Sequence, residues 1–181
     1  MSQLRDILAS DLRILIVAIN PATPSASVGH PFSTPTNLFW RLLQASGLTS
    51  RLYLPEEASR LPEDGLGLVS LVDRPTKAAS ELSRAEMRAG VPGLAMKIQK
   101  WRPRLVALLG LTLYPIVVPD EDEPGPGLKR ARFAGTRLFV LPNPSGRNRS
   151  YPGFESKLRW YRELSLLSGE RMPDRAEGSR T

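Results

Sequence analysis

The chain has 181 residues, of which 41% are hydrophobic and 24% charged, a size and composition typical of one globular domain, which we assign to residues 1–168. Its net charge of +7 favours a polyanionic partner, for which nucleic acid is the leading candidate. The sequence has no cysteine and one histidine, which excludes disulfides, thiolate metal ligands and a cysteine nucleophile and argues against a catalytic metal ion.

Apolar segments and amphipathic patterns alternate along the chain. A short amphipathic helix is predicted near the N-terminus from the spacing of Leu4, Ile7 and Leu8. Four apolar runs predict buried strands, at residues 13–19, 67–72, 105–109 and 137–141. Helices are predicted around residues 38–43, at a capping box formed by Ser83 and Glu86, around residues 94–101, and from about residue 154 to 164.

This alternation predicts an α/β protein, because right-handed crossovers join parallel strands and place helices on both faces of the sheet. We expect a three-layer α/β/α sandwich around a mainly parallel four-stranded sheet, with the functional site at the carboxyl ends of the strands. Residues 119–135 are predicted to form a solvated surface loop without a chemical role, and residues 169–181 a disordered tail. No segment resembles a signal peptide or a membrane span, so we expect a cytoplasmic protein, nucleoid-associated in a bacterium.

Polar segments follow the predicted strands, at the carboxyl ends where an α/β sheet places its functional site. The loop of residues 20–36 is longer than most unstructured connections, and it contains an amide, Asn20, and a ring, Phe32, that could stack on a flat heterocycle. The loop after the fourth strand adds Arg147 and Arg149, which can contact nucleic-acid phosphates. Taken singly, each feature also has an ordinary structural explanation, as a turn, a core side chain or a polar surface loop.

Five short motifs occur in order along the chain. They are Asn20-Pro21 after an apolar strand, Gly29-His-Pro-Phe32, Asn37-Leu-Phe-Trp40, Leu71-Val-Asp-Arg-Pro-Thr76 and Leu141-Pro-Asn-Pro-Ser-Gly146. Together they resemble the mismatch-specific uracil-DNA glycosylases, relatives of thymine-DNA glycosylase. The resemblance extends over residues 7–167, and five ordered motifs are far more specific than any one of them.

The resemblance implies the uracil-DNA glycosylase fold and a site that works without a metal or organic cofactor. Asn20 matches the asparagine that holds the attacking water near the sugar carbon, and Phe32 matches the ring that stacks on the flipped base. The remaining residues implied for the base pocket are Ser25, Ile19 and Pro21. The wedge that enters the duplex is matched by Gly146, Arg147, Asn148 and Arg149. The neighbouring residues Ser145 and Asn143 are also expected to bind DNA.

These correspondences predict a monomeric, monofunctional DNA glycosylase that acts on double-stranded DNA. It would flip uracil or a related damaged base out of a mismatch and hydrolyse the N-glycosidic bond, leaving an abasic site for base excision repair. The sequence departs from the family in two places. The usual Gly-Ile-Asn-Pro-Gly reads Ala18-Ile-Asn-Pro-Ala22, and the wedge tip, apolar in some relatives, is Arg147.

Asp73 is a second catalytic candidate, at the end of the second predicted strand. An asparagine can orient a water molecule but is not an effective base, whereas a carboxylate that is ionised at neutral pH can accept the water's proton. We therefore expect Asp73 to share or dominate water activation. The alternative is a local pair with Arg74 or a turn cap.

Two other classes of protein fit parts of this pattern. A non-catalytic module on the same fold could recognise lesions or mismatches through the same basic loop. A nucleotide-binding or hydrolase domain on a similar scaffold fits less well, because the sequence lacks Gly-x-Gly-x-x-Gly, a phosphate-loop Gly-Lys-Ser/Thr and a Gly-x-Ser-x-Gly nucleophile turn.

Overall fold

A five-stranded sheet forms the centre of the computed structural model, which describes residues 4–169. The strands are β1 (Ile14–Ala18), β2 (Leu66–Ser70), β3 (Leu105–Leu109), β4 (Gly127–Phe133) and β5 (Thr136–Leu141). Their order across the sheet is β2-β1-β3-β5-β4, and every neighbouring pair is parallel except β4 and β5, which are antiparallel. The mainly parallel sheet is therefore confirmed, with one strand more than predicted.

The fifth strand corrects the prediction that residues 119–135 form a surface loop. β4 lies at the edge of the sheet and alternates buried and exposed residues. Arg130 and Arg132 are on its exposed side and its buried side includes Lys129, so the segment has no apolar run. The four parallel strands are almost wholly buried and read as continuous apolar segments. An edge strand with one solvated face has only a weak hydrophobic signal of period two.

Helices cover both faces of the sheet, as the predicted three-layer sandwich requires. They are α1 (Thr23–Val28), α2 (Phe39–Ala45), α3 (Arg84–Trp101), α4 (Tyr114–Val117) and α5 (Glu155–Gly169). Alternate residues of the strands enter two separate apolar cores: α2, α5 and a 3-10 segment over Pro55–Asp64 pack on one face, and α3 and α4 pack on the other.

Two further local predictions are wrong. The residues around Ile7 are not helical, because the backbone of Ile7 pairs with Leu68 in an antiparallel bridge at the margin of β2. The loop of residues 20–36 contains the short helix α1. Apart from Gly169, the residues of the predicted tail lie outside the described part of the chain. Within residues 4–169, no helix combines the length and apolarity needed to cross a membrane.

Gly90 allows α3 to lie directly against the segment that follows β2. A Cβ atom at this position would stand 2.2 Å from the carbonyl oxygen of Leu71. We expect Gly90→Ala to lower the free energy of unfolding by about 1–3 kcal/mol, because the helix and the backbone it touches must move apart. Urea unfolding measures the change. The matched control is Gly93→Ala in the same helix, where an added Cβ meets nothing within 4 Å and the higher helix propensity of alanine should raise stability.

Candidate active site

A cavity of about 920 Å³ opens where the parallel strands end. It is lined by residues from the loops after β1 and β5 and from the segment after β2, together with the N-terminal residues 4–7. Most of the predicted site residues line it: Ile19, Asn20, Pro21, Ser25, Phe32, Asn143, Ser145, Arg147 and Asn148. Gly146 and Arg149 lie in the same loop as four of these residues but do not line the cavity, and Asp73 does not line it either.

The side chain of Asn20 is held in one orientation by the segment that follows β2. Its Nδ2 donates to the carbonyl oxygen of Arg74 and to Oγ1 of Thr76, each at 2.8 Å. Both amide hydrogens are therefore used, and Oδ1, which lies in the amide plane and points away from Nδ2, is left as an acceptor. Because Asn20 lines the cavity, this arrangement allows Oδ1 to bind a water molecule there.

Thr76, the last residue of the Leu71-Val-Asp-Arg-Pro-Thr76 motif, fixes the two segments to each other. Its N–H donates to the carbonyl of Pro21 at 3.2 Å, and its carbonyl accepts from the N–H of Thr23 at 2.9 Å. The residue is buried, at 4% exposure, so its hydroxyl has little access to water as an alternative partner. Thr76 therefore supports both the backbone beside Asn20 and the Asn20 amide itself.

Asp73 is the predicted catalytic residue that the structure does not bring to the cavity. β2 ends at Ser70, the N–H groups of Leu71 and Val72 still donate to the carbonyls of Ala18 and Ile19, and Asp73 is then exposed to solvent. The alternative pairing with Arg74 is not observed, because the Arg74 guanidinium binds both carboxylate oxygens of Glu86 in α3, at 2.7 and 3.0 Å. The hydrogen bond from Arg74 lowers the pKa of Glu86. Water activation by Asp73 thus has no geometric support.

Phe32 presents an aromatic ring to the cavity with a second ring behind it. The rings of Phe32 and Phe39 are stacked, with centroids 3.9 Å apart and planes inclined by 26°. Phe39 is fully buried and in edge contact with Trp40, whose Nε1 donates to the carbonyl of Pro31 at 3.2 Å. Phe32 itself has φ of 54°, an unfavourable value for a non-glycine residue. The surrounding contacts thus hold the ring in place despite local backbone strain.

The polar residues of the loop after β5 mostly shape the loop itself. Oδ1 of Asn143 accepts from the N–H of Ser145 at 2.9 Å, and Oγ of Ser145 accepts from the N–H of Arg147 at 3.2 Å. Nδ2 of Asn148 donates across the loop to the carbonyl of Asn143 at 3.1 Å. These side chains were predicted to contact DNA, and the structure assigns much of their hydrogen-bonding capacity to local turns.

The same loop contacts the segment that follows Phe32. The N–H of Leu38 donates to the carbonyl of Pro144 at 3.0 Å, and a Cβ on Gly146 would lie 2.8 Å from the carbonyl oxygen of Thr36. The loops after β1 and β5 therefore meet at one rim. Arg147 and Arg149 are exposed there, and neither forms an ion pair with a residue in the range 4–169.

Sequence reasoning also missed parts of the cavity wall contributed by other elements. Glu56 and Ser59 from the 3-10 segment and Leu111 and Thr112 after β3 line the cavity, as does His30. The segments of Glu56, Ser59, Leu111 and Thr112 carry no motif, so only the fold brings them to this position. His30 belongs to the Gly29-His-Pro-Phe32 motif, which assigned it no role. No group of three or more histidine, aspartate or glutamate side chains within residues 4–169 is arranged to hold a metal ion.

Two comparisons with known proteins concern the family and the fold of this chain. The family model described as the uracil DNA glycosylase superfamily matches residues 6–165. The solution NMR structure of a candidate uracil DNA glycosylase from Methanosarcina acetivorans has a TM-score of 0.60 to this chain. The two sequences are 18% identical, and the match covers 91% of this chain and 98% of the other. At that level of identity, the structural match concerns the fold.

Proposed function

Because this chain belongs to the uracil DNA glycosylase superfamily, we propose that it is a monofunctional glycosylase that flips uracil out of mismatched duplex DNA and hydrolyses its N-glycosidic bond. The observation that carries the proposal is the convergence on one cavity of the Asn20 amide, the Phe32 ring and the loop containing Arg147. We assign the protein to the mismatch-specific branch, as a cytoplasmic monomer in base excision repair.

The flipped uracil would stack on the cavity side of the Phe32 ring. Three observations support this: the other side of the ring is covered by Phe39, the neighbouring cavity wall includes Ser25, and apolar contacts are available from Ile19. The backbone N–H of Phe32 has no acceptor within residues 4–169 and can donate to the uracil ring as negative charge develops there.

Asn20 would place the water that attacks the sugar. In the reaction the C1′–N1 bond breaks with its electron pair remaining on uracil, and the water oxygen bonds to C1′ while its proton leaves to solvent or to the departing base. Oδ1 of Asn20 can hold this water in line but cannot take its proton efficiently at neutral pH. With Asp73 away from the cavity, positioning and stabilisation of the leaving base must supply most of the rate, and turnover should be slow.

Thr76→Val tests the orientation of Asn20 with little change in side-chain shape. We expect the single-turnover rate of uracil excision to fall about tenfold, because the Asn20 amide loses one buried hydrogen-bond partner and can rotate away from its working orientation. Thr76→Ser retains the hydroxyl and should restore most of the rate. Equal rates for the valine and serine variants, with both folded by circular dichroism, would contradict this role.

The loop after β5 would fill the space left by the extruded nucleotide, with Arg147 at its tip. A base in a G:U mispair is held less firmly than a base in an A:U pair, so extraction costs less free energy at the mismatch. The exposed positions of Arg147 and Arg149 support contacts with bases or phosphates from this rim. Preference for the mismatch would then follow from the cost of flipping and from the contacts that Arg147 makes with the opposite base.

The proposed activity is tested with labelled duplexes that carry one uracil opposite guanine or adenine. Enzyme in excess over DNA, followed by alkali, should produce a nick at the uracil position, faster for the G:U duplex than for the A:U duplex. Alkali without enzyme and a duplex with cytosine at the same position are the controls. Tight binding to the G:U duplex with no alkali-labile site would instead identify a non-catalytic module that recognises mismatches.

A further inference from the structure

Two side chains on one face of α5 are hydrogen-bonded to the two ends of the loop that runs from β5 to α5, residues 142–154, here termed the insertion loop. The hydroxyl of Tyr161 donates at 3.3 Å to the carbonyl of Pro142, the first residue of the loop. The ammonium of Lys157 donates to the carbonyls of Tyr151 and Gly153 at its other end, the latter at 3.0 Å. Lys157 and Tyr161 are four residues apart, so they lie on the same side of the helix.

Both side chains are completely buried, at 0% exposure. Burying an ammonium group is costly unless its hydrogens are bonded, and no ion pair within residues 4–169 includes Lys157. Its bonds go to backbone oxygens of the insertion loop, and burial lowers the pKa of Lys157. An apolar side chain could fill the same space without this cost but could not hold the loop backbone.

The middle of the insertion loop is held by its own hydrogen bonds and by the bond from the N–H of Leu38 to the carbonyl of Pro144. Its backbone N–H donors bonded within the loop are those of Ser145, Arg147, Asn148, Ser150 and Tyr151. These bonds define the internal shape of the loop, whereas the bonds from α5 fix both ends of the loop relative to the sheet. Ser145, Arg147, Asn148, Ser150 and Tyr151 also line the cavity.

We propose that Lys157 and Tyr161 are positioning residues that hold the insertion loop in the conformation that enters the DNA duplex. The proposal rests on the proposed function, because it assigns the loop the task of occupying the gap left by a flipped nucleotide. A loop that is ordered before it meets DNA loses less conformational entropy on insertion, so its binding to distorted DNA is stronger. Undistorted DNA has no gap for the loop to fill, so the affinity for it does not depend on the order of the loop.

The test compares Lys157→Met with a matched control, Lys129→Met. Lys129 is the other buried charged side chain in the described part of the chain, and it also donates to backbone carbonyls, those of Glu123, Pro124 and Gly125. It belongs to β4 and does not line the cavity. Any general effect of removing a buried lysine should therefore appear in both variants.

Binding is measured for two duplexes of one sequence, one intact and one with a stable abasic analogue opposite guanine. Lys157→Met should raise the Kd for the abasic duplex about tenfold, since the loop loses charged hydrogen bonds, and leave the Kd for the intact duplex unchanged. Lys129→Met should change neither value. If Lys157→Met weakens both duplexes equally, or if Lys129→Met reproduces its selective effect, the proposal is overturned.

Hydrogen exchange of the insertion-loop amides gives a readout that needs neither DNA nor activity. Exchange should accelerate in Lys157→Met and, to a smaller degree, in Tyr161→Phe, with no change in Lys129→Met. Unchanged exchange in folded Lys157→Met would refute the positioning role. If Lys157→Met does not fold, Tyr161→Phe decides the same question. A wild-type protein that neither prefers the abasic duplex nor excises uracil would reject the proposed function, while the exchange data would still decide whether α5 holds the loop.

Discussion

Replacing Asn20 by alanine is expected to lower the single-turnover rate of uracil excision by about 10²–10³-fold, the cost typical of removing one preorganised polar group from an active site. The structure gives the physical reason: both amide hydrogens of Asn20 are bonded to residues 74 and 76, so Oδ1 is an oriented acceptor on the cavity wall. Alanine removes the acceptor, and the water is then positioned only by the substrate. Quenched-flow or manual time courses with excess enzyme on a G:U duplex measure this rate.

The binding of Asn20→Ala to the same duplex should be close to that of the wild type, because the stacking ring and the insertion loop remain. Asp73→Asn is the informative companion variant, since it removes the carboxylate that sequence reasoning placed in the site. Because Asp73 is exposed and lies outside the cavity, the single-turnover rate of Asp73→Asn should equal that of the wild type. A large loss in Asp73→Asn together with a small loss in Asn20→Ala would reverse the assignment.

The sequence predicted most of the sheet because four of its strands have no solvated face. A strand covered on both sides must be apolar throughout, and such runs are visible without any knowledge of the fold. β4 has one partner strand and an exposed face that carries Arg130, and its buried face includes Lys129, so its sequence resembles that of a polar loop. At the N-terminus, the spacing around Ile7 suits a helix, but the segment instead pairs with Leu68 at the sheet. Tertiary contacts override weak local preference in short segments.

Several residues of the candidate site were predictable from the sequence, whereas their hydrogen bonds were not. Asn20 and Phe32 were identified from motifs, and both line the cavity. The partners of the Asn20 amide lie 54 and 56 residues further along the chain, and no local pattern specifies such pairs. The same limit explains Asp73: a motif fixes which residues follow a strand, whereas the path of the backbone decides which of them faces the cavity. Here Thr76 lines the cavity and Asp73 does not.

Replacing Phe32 by alanine is expected to reduce kcat/KM for the G:U duplex about 100-fold, within the range found when an aromatic ring that stacks on a base is removed. The ring is half-buried and lies 3.9 Å from the ring of Phe39, so its loss also leaves a gap between the base and the core. A flipped uracil would then have no aromatic ring to stack on, and the extrahelical state of the base would be less populated.

Phe32→Tyr is the matched control, because it keeps the ring and its stacking and should retain most of the activity. The position itself argues for a functional ring, since φ of 54° is strained for any residue with a Cβ and offers no evident gain in stability. Alanine should therefore reduce excision far more than it reduces thermal stability, which differential scanning calorimetry can establish. If kcat/KM of the alanine variant equals that of the tyrosine variant, uracil does not stack on this ring, and the base must lie against another wall of the cavity.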